Sequence, residues 1–308
     1  MEIFEPPFSK EQDFVYFCLE GKLSEAKQLV ATSSVDINLN RDEPFRICCM
    51  QGHFEMAKWI YSFGTVDIHS IDESAFRMSC FRNYSDIAKW LYSIGEININ
   101  ILSDSAFYLS CVNGNLDIAK WLYSLGVSLD ALDLIFCDTC KDNHLTMIEW
   151  LFGLSNGRVL SYDKAFENAC LKNYLEVCQC IYKLSQGKVD IHKDDDIYFI
   201  TSVHYQNIKM INWLLTIATF SRECIDRASS YFHRETFQIL YQQRYPITNT
   251  YMENAFKYCR IKKINYYKRL ILCVGIFVRL FNHTCEVRYG LGGKGFYEAM
   301  DNFLSAIS

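Results

Sequence analysis

The apolar positions of this chain return on a fixed ruler. Trp59, Trp90 and Trp121 are 31 residues apart; Phe45, Phe76 and Phe107 stand fourteen residues ahead of them, and Cys49, Cys80 and Cys111 ten ahead. The ruler extends upstream to Phe14, Cys18 and Gln28. Downstream it fits Phe136–Cys140–Trp150, Phe166–Cys170–Cys180 and Phe199–Val203–Trp213 at steps of 29, 30 and 33 residues. The fit weakens at Ile225 with Ile239 and at Phe256 with Leu270. A period of about 20–50 residues marks a solenoid whose units bury their apolar faces only against neighbours. The ruler predicts nine units, around residues 11–41, 42–72, 73–103, 104–132, 133–162, 163–195, 196–221, 222–252 and 253–283, with a capping helix in 284–308.

Each unit reads as two short helices and a turn. In the first segment Phe76, Met78, Cys80 and Phe81 form no single stripe, which suits a short helix wedged between neighbours. In the second, Ile87, Trp90, Leu91 and Ile94 fall at i, i+3, i+4 and i+7, one face of an amphipathic helix. Gly52, Gly114, Asn83, Asn143 and Asn173 lie between the helices, where a left-handed turn suits them, and Gly64, Gly95 and Gly126 are expected to end the second helix likewise. A short alternating run such as Ile97-Asn98-Ile99 precedes the next unit.

These residues resemble the ankyrin repeat. Residues 52–64 (GHFEMAKWIYSFG) and 114–126 (GNLDIAKWLYSLG) look like that family's second-helix signature, and Val66-Asp67-Ile68 and Val189-Asp190-Ile191 look like its hairpin arm. The likeness covers residues 14–241, and less of the pattern to 273. The family's T-P-L-H-x-A is replaced by S-A-F-x-x-S-C, and the period is about two short of the family's 33. The AKWLYSLG ending is similar to divergent repeats abundant in giant DNA viruses of amoebae. The resemblance implies an all-α, ankyrin-like solenoid. It also implies partner docking on a concave surface formed by hairpin tips and first-helix ends. The matching positions are Met50 and Gln51, Phe81 and Arg82, Val112 and Asn113, Lys141 and Asp142, and Leu171 and Lys172. They vary between repeats while the Phe and Trp places persist.

Composition fits an ordered chain: 50% of its residues are hydrophobic and only four are proline. Of fourteen cysteines, Cys18, Cys49, Cys80, Cys111, Cys140 and Cys170 share one repeat column, as small core residues would. The N-terminal MEIFEPPFSK lacks the basic and apolar regions of a secretory signal, so reduced thiols and a cytoplasmic setting (the host's, if the chain is viral) are expected. The apolar run over 270–281 contains Arg279 and is too short to span a bilayer.

Candidate chemistry is sparse. Gly290-Leu291-Gly292-Gly293-Lys294-Gly295 lacks the spacing and the Ser or Thr of a phosphate loop. Cys137 and Cys140 form a lone CxxC with His144 nearby, whereas a structural zinc site needs four ligands. Cys178 and Cys180 do not supply a second pair. The seven histidines share no repeat place, and no nucleophile has an assignable base. No enzyme activity, cofactor, metal or small-molecule substrate is expected. An acidic column does stand out three residues before each Phe: Glu11, Asp42, Glu73, Asp104, Asp133, Asp163, Asp196 and Glu253, broken by Arg222. It reads as helix capping, with an acidic ridge as the alternative. Lys27, Lys58, Lys89 and Lys120 read as a solvated outer face, the last three paired with Glu55, Asp86 and Asp117 three residues back, where the first unit has Ser24.

The expected function is a monomeric, non-enzymatic scaffold that binds another protein, a host protein if the chain is viral. One alternative is a substrate-recruiting adaptor of ubiquitin-ligase type acting through the C-terminal segment. Viral ankyrin proteins of this plan often end in an F-box-like segment, and residues 289–308 show no clear match to one. A third reading, nucleic-acid binding, rests on the basic stretch from Lys257 to Arg279, which includes Tyr258, Tyr266 and Tyr267. A net charge of −5 argues against a general nucleic-acid surface.

Overall fold

The computed structural model describes residues 9–101, 106–156 and 160–228, together with Tyr231, Thr236, Ile239, Leu240 and Gln243. Fifteen helices and no strand are found among them, so the fold class is the expected one: all-α, built from helix-turn-helix repeats. The chain divides into two compact units, Met1–Ser161 and Tyr162–Ser308. Most of the repeat expected at 222–252, all of that at 253–283, the cap, the basic stretch and the glycine cluster lie outside the described residues.

The first unit contains five helix pairs: α1 (Lys10–Glu20) with α2 (Leu23–Thr32), α3 (Leu39–Gln51) with α4 (Phe54–Tyr61), α5 (Ser70–Phe81) with α6 (Ser85–Ile94), α7 (Ala106–Val112) with α8 (Leu116–Ser124), and α9 (Leu132–Thr139) with α10 (Leu145–Leu154). Each first helix packs on its own second helix and on the first helix of the next pair. The repeated residues explain why. Phe14, Phe45, Phe76, Phe107 and Phe136 are buried, as are Cys18, Cys49, Cys80, Cys111 and Cys140 one turn later. Full burial of one such phenylalanine is worth about 1.5–3 kcal/mol, so the column supplies a similar increment at each junction. In the second helices Ala57, Ala88 and Ala119 are buried where a larger side chain would hold the two helices apart. Each Phe also reaches the next repeat's tryptophan: Phe45 to Trp90, Phe76 to Trp121 and Phe107 to Trp150 each have ring centroids 6.2 Å apart.

The second unit repeats the scheme in α11 (Tyr162–Leu171) with α12 (Leu175–Leu184) and α13 (Lys193–His204) with α14 (Ile208–Ile217), followed by α15 (Arg222–Ala228). Phe166 and Phe199 hold the core column, and Phe166 lies 6.1 Å from Trp213.

The turns depart from expectation in three places. The Val-Asp-Ile and Ile-Asn-Ile runs form turns, not hairpin strands: Asp67 Oδ1 accepts from His69 N, Asn98 Oδ1 from Asn100 N and Asp190 Oδ1 from His192 N, at 3.0, 3.1 and 3.0 Å. Ile68, Ile97, Val189 and Ile191 are buried beneath these turns. Asn143 is not left-handed, whereas Gly52 (φ 84°) and Gly114 (φ 74°) are. Gly95 is extended (φ −153°), and glycine is needed there for room: a Cβ would stand 2.3 Å from Ile68 Cδ1.

Candidate functional site

The acidic column is where sequence and structure part most clearly. No side-chain cap bond forms at the starts of α3, α5, α9 or α13. The acids instead reach forward to the next repeat's turn. Asp42 Oδ2 accepts from Ser70 Oγ at 2.8 Å and from Asp67 N at 3.4 Å. Glu73 Oε1 accepts from Asn98 N at 3.3 Å and Asp163 Oδ1 from Asp190 N at 3.0 Å. Asp133 takes both the N–H and the hydroxyl of Ser161, each at 2.7 Å. The N–H groups at 67, 98 and 190 belong to the residues whose side chains close the turns. Each acid thus latches one repeat to the turn that follows, and Asp42, Glu73 and Asp196 are buried, which breaks up any continuous acidic ridge.

At three of the acids the backbone contributes to the change of role, whereas Asp133 and Asp163 reach forward without left-handed residues before them. Residues 40–42, 71–73 and 194–196 are each three consecutive left-handed residues, with φ from 48° to 67°. They swing the acid off the axis of the helix that follows. A left-handed residue other than glycine costs roughly 1–2 kcal/mol, and an arginine compensates at each turn. Arg46 donates to Arg41 O (2.9 Å) and Asn40 O (3.1 Å), Arg77 to Asp72 O (2.8 Å), and Arg227 to Asp195 O (2.5 Å). A second device ties repeats together at the other end. His53 Nε2 lies 3.0 Å from Leu19 O, and Asn115 Nδ2 donates to Cys80 O and Phe81 O at 2.8 Å each.

The expected docking residues occupy equivalent places at the C-terminal ends of the first helices. Met50 and Gln51 close α3; Phe81 closes α5 with Arg82 beyond it; Val112 closes α7 with Asn113 beyond it; Lys141 and Asp142 follow α9. Because α1, α3, α5, α7 and α9 stack consecutively, these eight residues run along one edge of the first unit. Leu171 and Lys172 hold the corresponding place in the second unit. Arg82, Lys141, Asp142, Leu171 and Lys172 are exposed and the others half-buried. The Arg82 guanidinium lies 5.6 Å from the Phe81 ring centre. Asn113 donates to Leu109 O at 2.8 Å, so its side chain is tied to its own helix.

Met50, Phe81 and Val112 of this edge also belong to a wider stripe whose other members were not singled out as docking residues. Counting from the core Phe of α3, α5, α7 and α9, positions −1, 0, +3 and +4 are buried and +2 and +5 are not; in α1 only positions 0 and +4 are buried, and in α11 position +2 (Asn168) is buried too. In the first unit the outward pair is Tyr16 and Leu19 in α1, Ile47 and Met50 in α3, Met78 and Phe81 in α5, and Leu109 and Val112 in α7. All are apolar or aromatic, none is fully buried, and Tyr16 (47%) and Leu19 (42%) are well exposed. At the next helix the character changes. Asp138 accepts from Tyr108 Oη at 3.0 Å and from Lys141 Nζ at 2.5 Å. The stripe was legible in the failure of Phe76, Met78, Cys80 and Phe81 to share one face: Met78 and Phe81 belong to the opposite side.

The remaining chemistry-bearing residues are structural. Burial pushes the thiols of Cys49, Cys80 and Cys111 well above the usual range, and a hydrogen bond with Cys18, then burial, does the same for Cys48. Such thiols stay protonated and unreactive. In the CxxC, Cys137 Sγ donates to Ser161 O (3.6 Å) and Cys140 is buried in the core column. His69 and His192 each place Nδ1 on the latch acid four residues on, at 2.8 Å from Glu73 and 2.5 Å from Asp196. Lys58 pairs with Glu55 at 3.1 Å and lies 3.9 Å from the Phe54 ring centre. No helix among the described residues is long and apolar enough to cross a membrane.

No protein-family model and no curated protein matches this chain. Among solved structures it is similar to the crystal structure of the human ASB11 ankyrin repeat domain, with a TM-score of 0.47 and 14% sequence identity, over 70% of this chain and 100% of that one.

Proposed function

We propose that the chain is a non-enzymatic, monomeric scaffold that binds another protein on the free face of its first helices, the concave face in an ankyrin-like array of nine repeats closed by residues 284–308. Met50, Gln51, Phe81, Arg82, Val112, Asn113, Lys141, Asp142, Leu171 and Lys172 contact the partner. The observation that carries this reading is a contrast within single helices. The inward positions of α3, α5, α7 and α9 hold the same Phe and Cys places, while the C-terminal residues differ from repeat to repeat and stay wholly or partly accessible. A stack of this kind holds separate side chains in fixed relation, so little conformational freedom is lost on binding. If the chain is viral, as the resemblance to giant-virus repeats implies, the partner is a host protein and the compartment the host cytoplasm.

Site-specific photo-crosslinking tests this. A benzophenone side chain placed at 82, 113 or 142 is expected to trap one partner from amoebal cytosol. The same group at 89 or 120, on the outer helices, traps none. Equal trapping from both faces, or none from the first-helix positions, overturns the reading.

A further inference from the structure

The apolar pairs at positions +2 and +5 define a seat with measurable proportions. They run without interruption across α1, α3, α5 and α7, and stop where the Tyr108–Asp138–Lys141 network begins. Packed helices lie roughly 8–10 Å apart. Three such steps give about 24–30 Å, the length of about 16–20 residues of α-helix at ~1.5 Å per residue. The repeat of the seat also suits a helix: i to i+7 advances about 10.5 Å at that rise, close to one apolar pair per step. Alternate residues of a strand advance only about 6.6 Å and would fall out of register after one repeat.

Charge completes the description of the occupant. Lys141, at the end of the stripe, is paired with Asp138, and four further cations border it. Arg46 and Arg77 already donate to the carbonyls of the left-handed turns. Lys22 donates to Tyr16 Oη at 3.1 Å, and Glu20 and Glu25 lie close enough to raise its pKa further. Arg82 is exposed, rests on the Phe81 ring and has no ion pair among the described residues. An unpaired arginine beside an aromatic and apolar pair combines residue types enriched at protein interfaces.

We propose that the first unit receives an amphipathic α-helix of another protein, about 16–20 residues long, laid across α1, α3, α5 and α7. Its seated face carries one apolar pair per heptad, and an Asp or Glu faces Arg82. The proposal rests on the docking function above and assigns the partner's chemistry.

Two displayed peptide libraries, panned on the full chain, test it. One holds 18-residue sequences with heptad-spaced apolar positions and random residues elsewhere; the other holds proline-rich extended sequences of equal length. The helical library is expected to enrich clones with a carboxylate at one position. Arg82→Glu should shift selection at that position toward Lys and Arg, and weaken the acidic clones by at least about tenfold, as loss of an interface anchor does. Phe81→Asp should abolish binding, with circular dichroism checking that the fold survives. A proline inserted mid-peptide should do the same. If only extended clones enrich and they depend on Phe81 or Arg82, the helix assignment fails while the docking face stands. If helical clones bind regardless of Arg82→Glu and Phe81→Asp, the seat lies elsewhere and the proposal is overturned. If neither library yields a binder dependent on this face, both readings fall.

Discussion

The Trp121 indole meets the Tyr92 ring of the preceding repeat edge to face, with centroids 5.6 Å apart and planes at 84°. Tyr61 and Trp90 (5.5 Å, 87°), Tyr123 and Trp150 (6.0 Å, 89°), and Tyr182 and Trp213 (5.9 Å, 86°) repeat the geometry. Each of these four tryptophans is therefore held by a Phe and a Tyr of the repeat before it, which accounts for the recurring W-x-Y spacing. Trp121→Ala should destabilise the fold by about 3–5 kcal/mol. A double-mutant cycle of Tyr92→Leu with Trp121→Leu should give a coupling of about 0.5–1.5 kcal/mol. Urea titration measures both; zero coupling would show that the two rings contribute only buried area.

The latch predicts that a buried acid matters more than an exposed one in the same column. Asp42 is 5% exposed and receives Ser70 Oγ and Asp67 N, while Asp163 is exposed and receives one N–H. Asp42→Ala strands the Asp67 N–H, takes one of two acceptors from Ser70 Oγ and from Asn38 Nδ2, and should cost about 1–3 kcal/mol. Asp163→Ala should cost less. If both lose the same small amount, the forward bonds contribute little and the column is decorative.

How far the sequence carried can be judged from single residues. Trp90 and Phe76 announced the repeat and its burial because core packing recurs with the period. Asp42 and Glu73 were equally periodic, yet their role was misread. A carboxylate just before a helix looks like a cap, and at Asp42 and Glu73 the left-handed backbone at 40–42 and 71–73 turns it toward the next repeat. That backbone leaves a weak signature in residue type: Asn or Asp fills six of the nine places at 40–42, 71–73 and 194–196, while Arg41, Ile71 and Glu73 are ordinary choices elsewhere. Tyr16 and Leu19 were missed for another reason. They lie in the first repeat, and their kinship with Met78 and Phe81 appears only once the helices are stacked.

Ile71 offers a test of the strained turn. Its φ is 54°, a poor conformation for a β-branched side chain, and it is 40% exposed, so little burial is at stake. Ile71→Gly should stabilise the fold by about 1 kcal/mol, the lower end of the left-handed penalty, less the added chain entropy of glycine when unfolded. A rise in Tm is the expected readout. A fall would mean that the turn is not left-handed at 71.

Tyr198 occupies the place held by Pro44, Ala75, Ala106 and Ala165 in other repeats, packs on Phe166 at 4.9 Å, and buries its hydroxyl without a hydrogen-bond partner among the described residues. Desolvation, with smaller effects from Glu167 and Asp163, pushes its phenol well above the usual range, so it stays neutral. Tyr198→Phe removes the stranded hydroxyl and keeps the ring. It should raise stability by up to about 1–3 kcal/mol, the cost of leaving a buried group unsatisfied. Lower stability would reveal a hidden partner for the hydroxyl.

The Lys193–Glu167 pair (3.1 Å) carries the pH prediction. Its hydrogen bond to Lys193 is the largest influence lowering the Glu167 carboxyl, and the same bond raises the Lys193 ammonium. A lowered carboxylate pKa gives stability that is complete above the unfolded value, near 4.3, and is lost as pH falls through the folded value. A raised ammonium pKa gives stability that is complete below about 10.4 and is lost as pH climbs past the folded value. With side chains 33% and 27% exposed, the pair is worth only about 0.2–1 kcal/mol. Lys193→Gln should therefore cost a few tenths of a kcal/mol at pH 7, and the difference from the natural chain should shrink as pH falls below about 4.3 and on through the lowered folded value. High salt at pH 7 should shrink the difference as well. A gap that persists unchanged at pH 3 would trace the loss to packing of the lysine stem and not to its charge.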